Sequence, residues 1–321
     1  MQRRRVIAAC AALPFAHGLQ DALAQAAPDK TLLIIVPFGP GGSGDITARM
    51  LAEFIARKTG RASVVENRPG ANGIVGVEAA KKAPADGNTL LLSTTSTHSA
   101  NPSLYRKLPY DPEKDFRLVG SFGTGSSLML VRPDAPWKTL AEFVQAAKAA
   151  PGRINYGHFN ASSHAPGALL SQLAGIELTP IPYKQIGNAM TELIAGQIQV
   201  IFVDSIAGDS FVASGQLRLL AAQSEKRLLK YPATPLISEA YPGYSTSGFL
   251  GVSVPAGTPP TVQQALNDIV NEAVASEPMK SKLESLGFAP RRMSLTELAA
   301  FDREERAKWK VYVAVAKIEA Q

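Results

Sequence analysis

Two short stretches and one isolated carboxylate hold most of the groups in this sequence that are able to do chemistry. The first is Gly39-Pro-Gly-Gly-Ser-Gly44, with Phe38 leading in and Asp45 following. Its glycines leave main-chain N–H groups open. A helix starting at its end would add unpartnered amides and the positive end of a dipole. That combination suits a small anion such as a carboxylate. The second stretch, His158-Phe-Asn-Ala-Ser-Ser163 with His164 behind it, has the same plan of strand end, turn and helix start. Phe159 sits within it, Ser162 or Ser163 can cap the helix, and Asn160 can turn the chain. Asp204 ends an apolar run and can either accept from a ligand hydroxyl or cap the next helix. If both stretches face one cleft, a ligand with an acid at each end can bridge them.

Other chemistries fit less well. Gly39 to Gly44 satisfies G-x-G-x-x-G, and Glu66 follows at the distance of a ribose-binding acid, so a dinucleotide is an alternative ligand. Pro40 inside the turn and the marks of export described below weigh against it. A serine hydrolase would need a G-x-S-x-G elbow, which is absent, and adjacency of Ser162, Ser163 and His164 does not make a triad. Cys10 is the sole cysteine, and there is no H-E-x-x-H or paired-Asp spacing, so neither metal nor cofactor is expected. The formal charge of +6 is scattered without a basic stripe, which argues against nucleic acid. The sequence is read as a binding protein and not an enzyme.

The elements that must position these groups begin after residue 26. Arg3, Arg4 and Arg5 precede an apolar segment, and Ala22-Leu-Ala24 offers a small-x-small cleavage site, so residues 1–26 read as a signal peptide for Sec or twin-arginine export to the periplasm. Its removal takes Cys10 away and leaves no disulfide to form. At 321 residues the chain is long for one core, which favours two domains. Apolar runs at 32–36, 62–66 and 89–93 alternate with helical spacing at 45–58 and 74–82, the pattern of a mostly parallel sheet. Ile46, Met50 and Phe54 are expected to form the buried face of the first helix. The third strand should end in a hydroxyl-rich loop, Thr94 to His98, holding Thr95, Ser96 and Thr97 at the carboxyl edge where α/β sheets bind ligands. A second alternation runs from a helix capped by Thr139 to a strand at 217–221, with helices expected at 165–173, 188–195 and 206–214. From Phe249 the chain returns to strand, then to a helix after Thr261 and a last one behind the capping box Ser294-Leu-Thr-Glu297. The expected division is one discontinuous domain, 27–127 with 248–321, and a second, 128–247. Two segments near Ser127 and Ser247 would cross between them and act as a hinge.

These segments together resemble the Bug/TctC family, the periplasmic solute-binding receptors of tripartite tricarboxylate transporters. The resemblance is carried by Val36-Pro-Phe-Gly-Pro-Gly-Gly-Ser-Gly-Asp45, Val65-Glu-Asn-Arg-Pro-Gly-Ala-Asn-Gly73, Leu108-Pro-Tyr-Asp111, Pro182-Tyr-Lys184 and Pro255-Ala-Gly-Thr-Pro259. It implies a two-domain, type II periplasmic-binding fold that closes on a small carboxylate and docks an inner-membrane permease, the chain itself acting as a monomer. Carried over, the ligand-binding groups are Phe38, Gly39, Gly41, Gly42, Ser43 and Asp45 in the first loop. The loop after the third strand adds Thr95 to His98, and the second domain adds Ser162, Ser163 and Asp204, with Phe159, Asn160 and His164 beside them. His158, Phe159 and Asn160 replace smaller residues of the family pattern, and Gln185 stands where a glycine usually follows Pro-Tyr-Lys. These departures allow a dicarboxylate or an aromatic carboxylate. A carboxylate-sensing role without transport remains a further reading.

Overall fold

Strand β1 (Leu32–Val36) is buried along nearly its whole length, as its unbroken apolar run requires. It is followed by α1 (Ser43–Thr59), β2 (Ser63–Asn67), α2 (Ile74–Lys81) and β3 (Thr89–Thr94). β1 pairs in parallel with β2 on one side and β3 on the other. The winding therefore reverses at β1, and the loops leaving β1 and β3 open on one crevice. After β4 (Phe116–Gly125) come β5 (Ser127–Val131), α3 (Leu140–Ala149), β6 (Ile154–His158), α4 (Ala161–Ala174) and β7 (Leu178–Pro182). Then α5 (Ile186–Ile194), β8 (Val200–Asp204), α6 (Ser205–Ala213) and β9 (Arg218–Gln223) complete this run. The last elements are β10 (Gly248–Pro255), α7 (Pro260–Ala275), α8 (Glu277–Ser285), β11 (Phe288–Ala289) and α9 (Leu295–Val315). This computed structural model describes residues 30–320 apart from 225, 226, 229, 245–247, 286, 316, 317 and 319. The signal segment 1–26 and the crossing at Ser247 lie outside the described residues.

The strands form two sheets, a six-stranded one in the order β11-β4-β10-β3-β1-β2 and a five-stranded one in the order β7-β6-β8-β5-β9. Strands β1 to β4 share one direction and β6 to β9 another common one. β5 and β10 run against their neighbours. Each of these is the first strand after the chain has changed sheets. No crossover helix from the same sheet feeds it, so nothing obliges it to lie parallel.

Helix α1 buries Ala48, Leu51, Ala52 and Ile55 against the first sheet, while Ile46, Met50 and Phe54 pack at the margin of that cluster. The buried face is thus turned from the one the large side chains suggest. Two alanines bring the helix backbone close to the strands, and the bulky residues cover the edges. The last helix ties both sheets together. Trp309 and Val313 of α9 pack with Ala100 and Leu104, downstream of β3, and with Ala161 and Ala165 of α4. Among the described residues no helix is long and apolar enough to cross a membrane.

Candidate functional site

The chain leaves β1 through Pro37 and Phe38 and reaches α1 by way of Gly41 and Gly42. Gly41 has a φ of 84°, a left-handed value that only glycine takes without strain. Gly42 is extended at the helix N-cap and offers no side chain to cap it. The first bond into the helix is Ile46 N–H to Gly42 O at 3.0 Å. The amides of Ser43, Gly44 and Asp45 precede it and have no protein acceptor among the described residues. Asp45 braces this loop from behind. Its carboxylate accepts from Gly41 N–H at 3.1 Å and Asn67 Nδ2 at 3.0 Å, and pairs with Arg49 at 2.8 Å. Burial pushes the Asp45 pKa up, but the Arg49 hydrogen bond, the Gly41 amide and Asn67 outweigh it and hold the carboxyl below its ordinary value.

These amides open into a cavity of about 110 Å³ between the two sheets. Of the residues singled out from sequence, the cavity wall holds Phe38, Gly39, Gly42, Ser43, Asp45, Thr95, Ser96, Phe159, Asn160, Ser162, Ser163 and Asp204. Gly41, Thr97, His98 and His164 are not brought to it. Gly41 spends its amide on Asp45. The stretch expected as an open loop after β3 is a wide helical turn, Thr95–Ala100, running into Asn101–Leu104. Winding turns Thr97 back onto Thr94, whose N–H donates to Thr97 Oγ1 at 3.1 Å. His98 is driven into the core, where its Nε2 lies 3.2 Å from Ser93 Oγ and its Nδ1 3.0 Å from Thr97 Oγ1. Burial, and secondarily the nearby Arg306 charge, lower its pKa to about 3.

His164 faces a second cavity of about 220 Å³, together with His158, Tyr105 and Tyr183. Phe159 and Asn160 form the partition, since they line both spaces. The His158 and His164 rings stand edge to face at 4.3 Å, and His164 Nδ1 is 3.3 Å from Tyr156 Oη. Burial, and then His164, lower the His158 pKa to about 4. Among the described residues no group of three or more His, Cys, Asp or Glu is placed to hold a metal.

The second helix start differs from the sequence expectation and from the first. Asn160, not Ser162 or Ser163, caps α4, and the helix begins at Ala161 rather than Ala165. Pro166 lies inside this helix. Asn160 Oδ1 accepts from Ser163 N–H at 2.9 Å, and Ser163 Oγ accepts from Asn160 N–H at 3.1 Å. The next two amides are taken from across the cleft: Ala161 N–H donates to Asn72 Oδ1 at 3.0 Å and Ser162 N–H to Ser96 Oγ at 3.3 Å. Asn72 is held at a φ of 55° and donates through Nδ2 to Asn101 Oδ1 at 2.7 Å. Of the two roles the sequence allowed it, Asp204 takes the capping one, and it adds a bond the sequence did not suggest. Its Oδ1 caps α6 by accepting from Ala207 N–H at 3.0 Å, and its Oδ2 accepts from Ser43 Oγ across the cleft at 2.9 Å.

The rest of the wall was not found from sequence. Ile186, Phe202, Leu250 and Phe288 make its apolar part, and Lys184 and Gln185 stand at its exposed rim. Their apolar types carry no chemical signal, and they come together from four distant segments. Gln185, noted only as a departure, reaches the first loop, where a Cβ on Gly39 would lie 3.1 Å from Gln185 Oε1. Glu66, the acid that a dinucleotide would need, is held by Arg68 through bonds of 2.7 and 3.2 Å. The cavity is also well below the few hundred Å³ of a large-ligand pocket.

A family model described as "Tripartite tricarboxylate transporter family receptor" matches residues 47–317. The chain belongs to that family. Solved structures agree with this tripartite tricarboxylate transporter receptor assignment. The periplasmic binding protein BugD is 27% identical with a TM-score of 0.86, covering 92% of this chain and 100% of that one. An R. palustris protein with adipate is 28% identical with a TM-score of 0.89, covering 92% and 100%. MatC from Rhodopseudomonas palustris with bound malate is 28% identical with a TM-score of 0.84, covering 89% and 99%. The tripartite tricarboxylate transporter receptor family is one of solute binding, and the two-sheet α/β architecture is that of its periplasmic neighbours.

Proposed function

We propose that this receptor captures a small carboxylate in the cleft between the sheets, in the periplasm, and presents it as a monomer to the inner-membrane permease of a tripartite tricarboxylate transporter. The observation that carries the reading is the uncapped start of α1, where Ser43, Gly44 and Asp45 line the cavity between the sheets. Oriented amides at a helix start hold an anion without a full cationic partner. The adipate and malate of the two R. palustris neighbours support the same ligand class. In this reading residues 27–127 with 248–321 form one closing body and 128–247 the other. The segment between β4 and β5 is one hinge strand, and the return before β10 is the second. Phe38, Gly39, Gly42 and Ser43 meet the acid, and Ser96, Phe159, Ser162 and Asp204 face its far end.

The test is the melting midpoint of the mature protein against mono-, di- and tricarboxylates, aliphatic and aromatic. A ligand at a hundred times its Kd should stabilise the fold by about 2.7 kcal/mol, a shift of several degrees. Silence from every carboxylate with a shift from NAD would replace this reading by dinucleotide binding.

A further inference from the structure

We propose that the cleft is built for an acid with a single carboxylate and an uncharged, largely apolar body. This deepens the carboxylate reading above and rests on it. One wall of the cavity has amides to give. The opposite wall has spent them. All three leading amides of α4 are occupied, by Asn160, Asn72 and Ser96, and two of those acceptors come from the loops of the first sheet. A second acid seated there would have to displace bonds that hold the two sheets together.

The next group along that wall is the Asp204 carboxylate, which caps α6 and accepts from Ser43 Oγ. The first acid also lies near that charge but has the open amides of α1 to offset it; a second carboxylate, in a place only partly open to water, has none, which disfavours it. The remaining surface combines the apolar Phe159, Ile186, Phe202, Leu250 and Phe288, able to cover a ring or an alkyl chain, with the neutral Thr94, Thr95, Ser126, Ser127 and Gln185, which bring no charge to pair with a second acid. Lys184 is the one cation among the described lining residues, and it is exposed at the rim, where a charge pair in water contributes little. The expected preference is therefore opposite to the diacids found in the two R. palustris neighbours.

The experiment is calorimetric titration of the mature protein with matched pairs, benzoate against terephthalate and hexanoate against adipate. In the pair that binds, the monoacid should be tighter by about tenfold or more. Asp204→Asn keeps a capping oxygen and removes the charge. It should narrow that gap by tightening the diacid more than the monoacid. A diacid that binds the wild type as tightly as its monoacid overturns the proposal, as does a gap that Asp204→Asn leaves unchanged. If no member of either pair binds and no other carboxylate does, the carboxylate reading itself fails and this inference falls with it. A diacid winning over its monoacid overturns only the inference.

Discussion

Two helix starts face each other across the cleft, and they have been put to opposite uses. The start of α1 has a glycine for a cap, and its first amides have no acceptor among the described residues. The start of α4 has Asn160 and Ser163 closing a capping box, and its other leading amides are bonded to Asn72 and Ser96 on the far side. The dipoles are alike and the local geometry is alike. What differs is whether an acceptor is already present. An open start has donors left to give, whereas a satisfied start is a clasp. The teaching is that helix polarity alone does not locate a ligand; the hydrogen-bond accounting around it does.

The largest expected effect tests the open start. Gly42→Leu adds a side chain at a residue whose φ of −82° any amino acid adopts and whose Cβ would meet nothing within 4 Å. The fold should melt within about a degree of wild type, while carboxylate affinity falls by about a hundredfold or more. Unchanged affinity by calorimetry would remove the first loop from the site. Gly44→Leu is the contrast, since its Cβ would lie 2.4 Å from the buried Leu92 side chain, and stability should fall as well.

Acid should separate the two starts next. His158, beside the second, has a folded pKa near 4 against about 6.5 when unfolded, and His98 one near 3. Between these values and 6.5 the unfolded chain binds the protons, so stability is intact above pH 6.5 and declines as pH falls below it. Each histidine contributes a slope of up to about 1.4 kcal/mol per pH unit. Urea unfolding at pH 7 and pH 5 measures the sum, and His158→Asn should flatten it. The first loop should feel acid later, because Asp45 is held ionised by Arg49, Gly41 and Asn67.

The smallest effect tests the clasp. Asn72→Gly keeps the left-handed backbone and removes the acceptor for Ala161 N–H. Loss of that bond should weaken the closed form by about 1–2 kcal/mol, read as a five- to thirtyfold loss of ligand affinity. A lowered melting midpoint with unchanged affinity would make Asn72 a structural residue only, and the contrast between the two starts would lose its functional half.

Much of the frame was readable along the chain. The apolar run of β1, the glycine turn and the helix behind it are local patterns, as are the Thr139 cap, which accepts from Glu142 N–H, and the Ser294–Glu297 capping box. The same local reading named about half of the residues lining the cleft, because loops at the carboxyl ends of strands carry their polar types in sequence. It misplaced His98 and Thr97, whose hydroxyl-rich neighbourhood looks solvent-facing until the wide turn rolls it under the sheet. Leu250 and Phe288 gave no signal at all, since an apolar wall looks the same in sequence as an apolar core.

By itself the sequence determined where the strands, the glycine turns and the opening helix fall, because these depend on residues within a few positions of one another, although it set the start of α4 at Ala165 instead of Ala161. Which helix start stays open was decided only in the tertiary structure. Asn72 lies 89 residues from Ala161 and Ser96 lies 66 from Ser162, and only the closing of one sheet's loops on the other's brings those acceptors within reach.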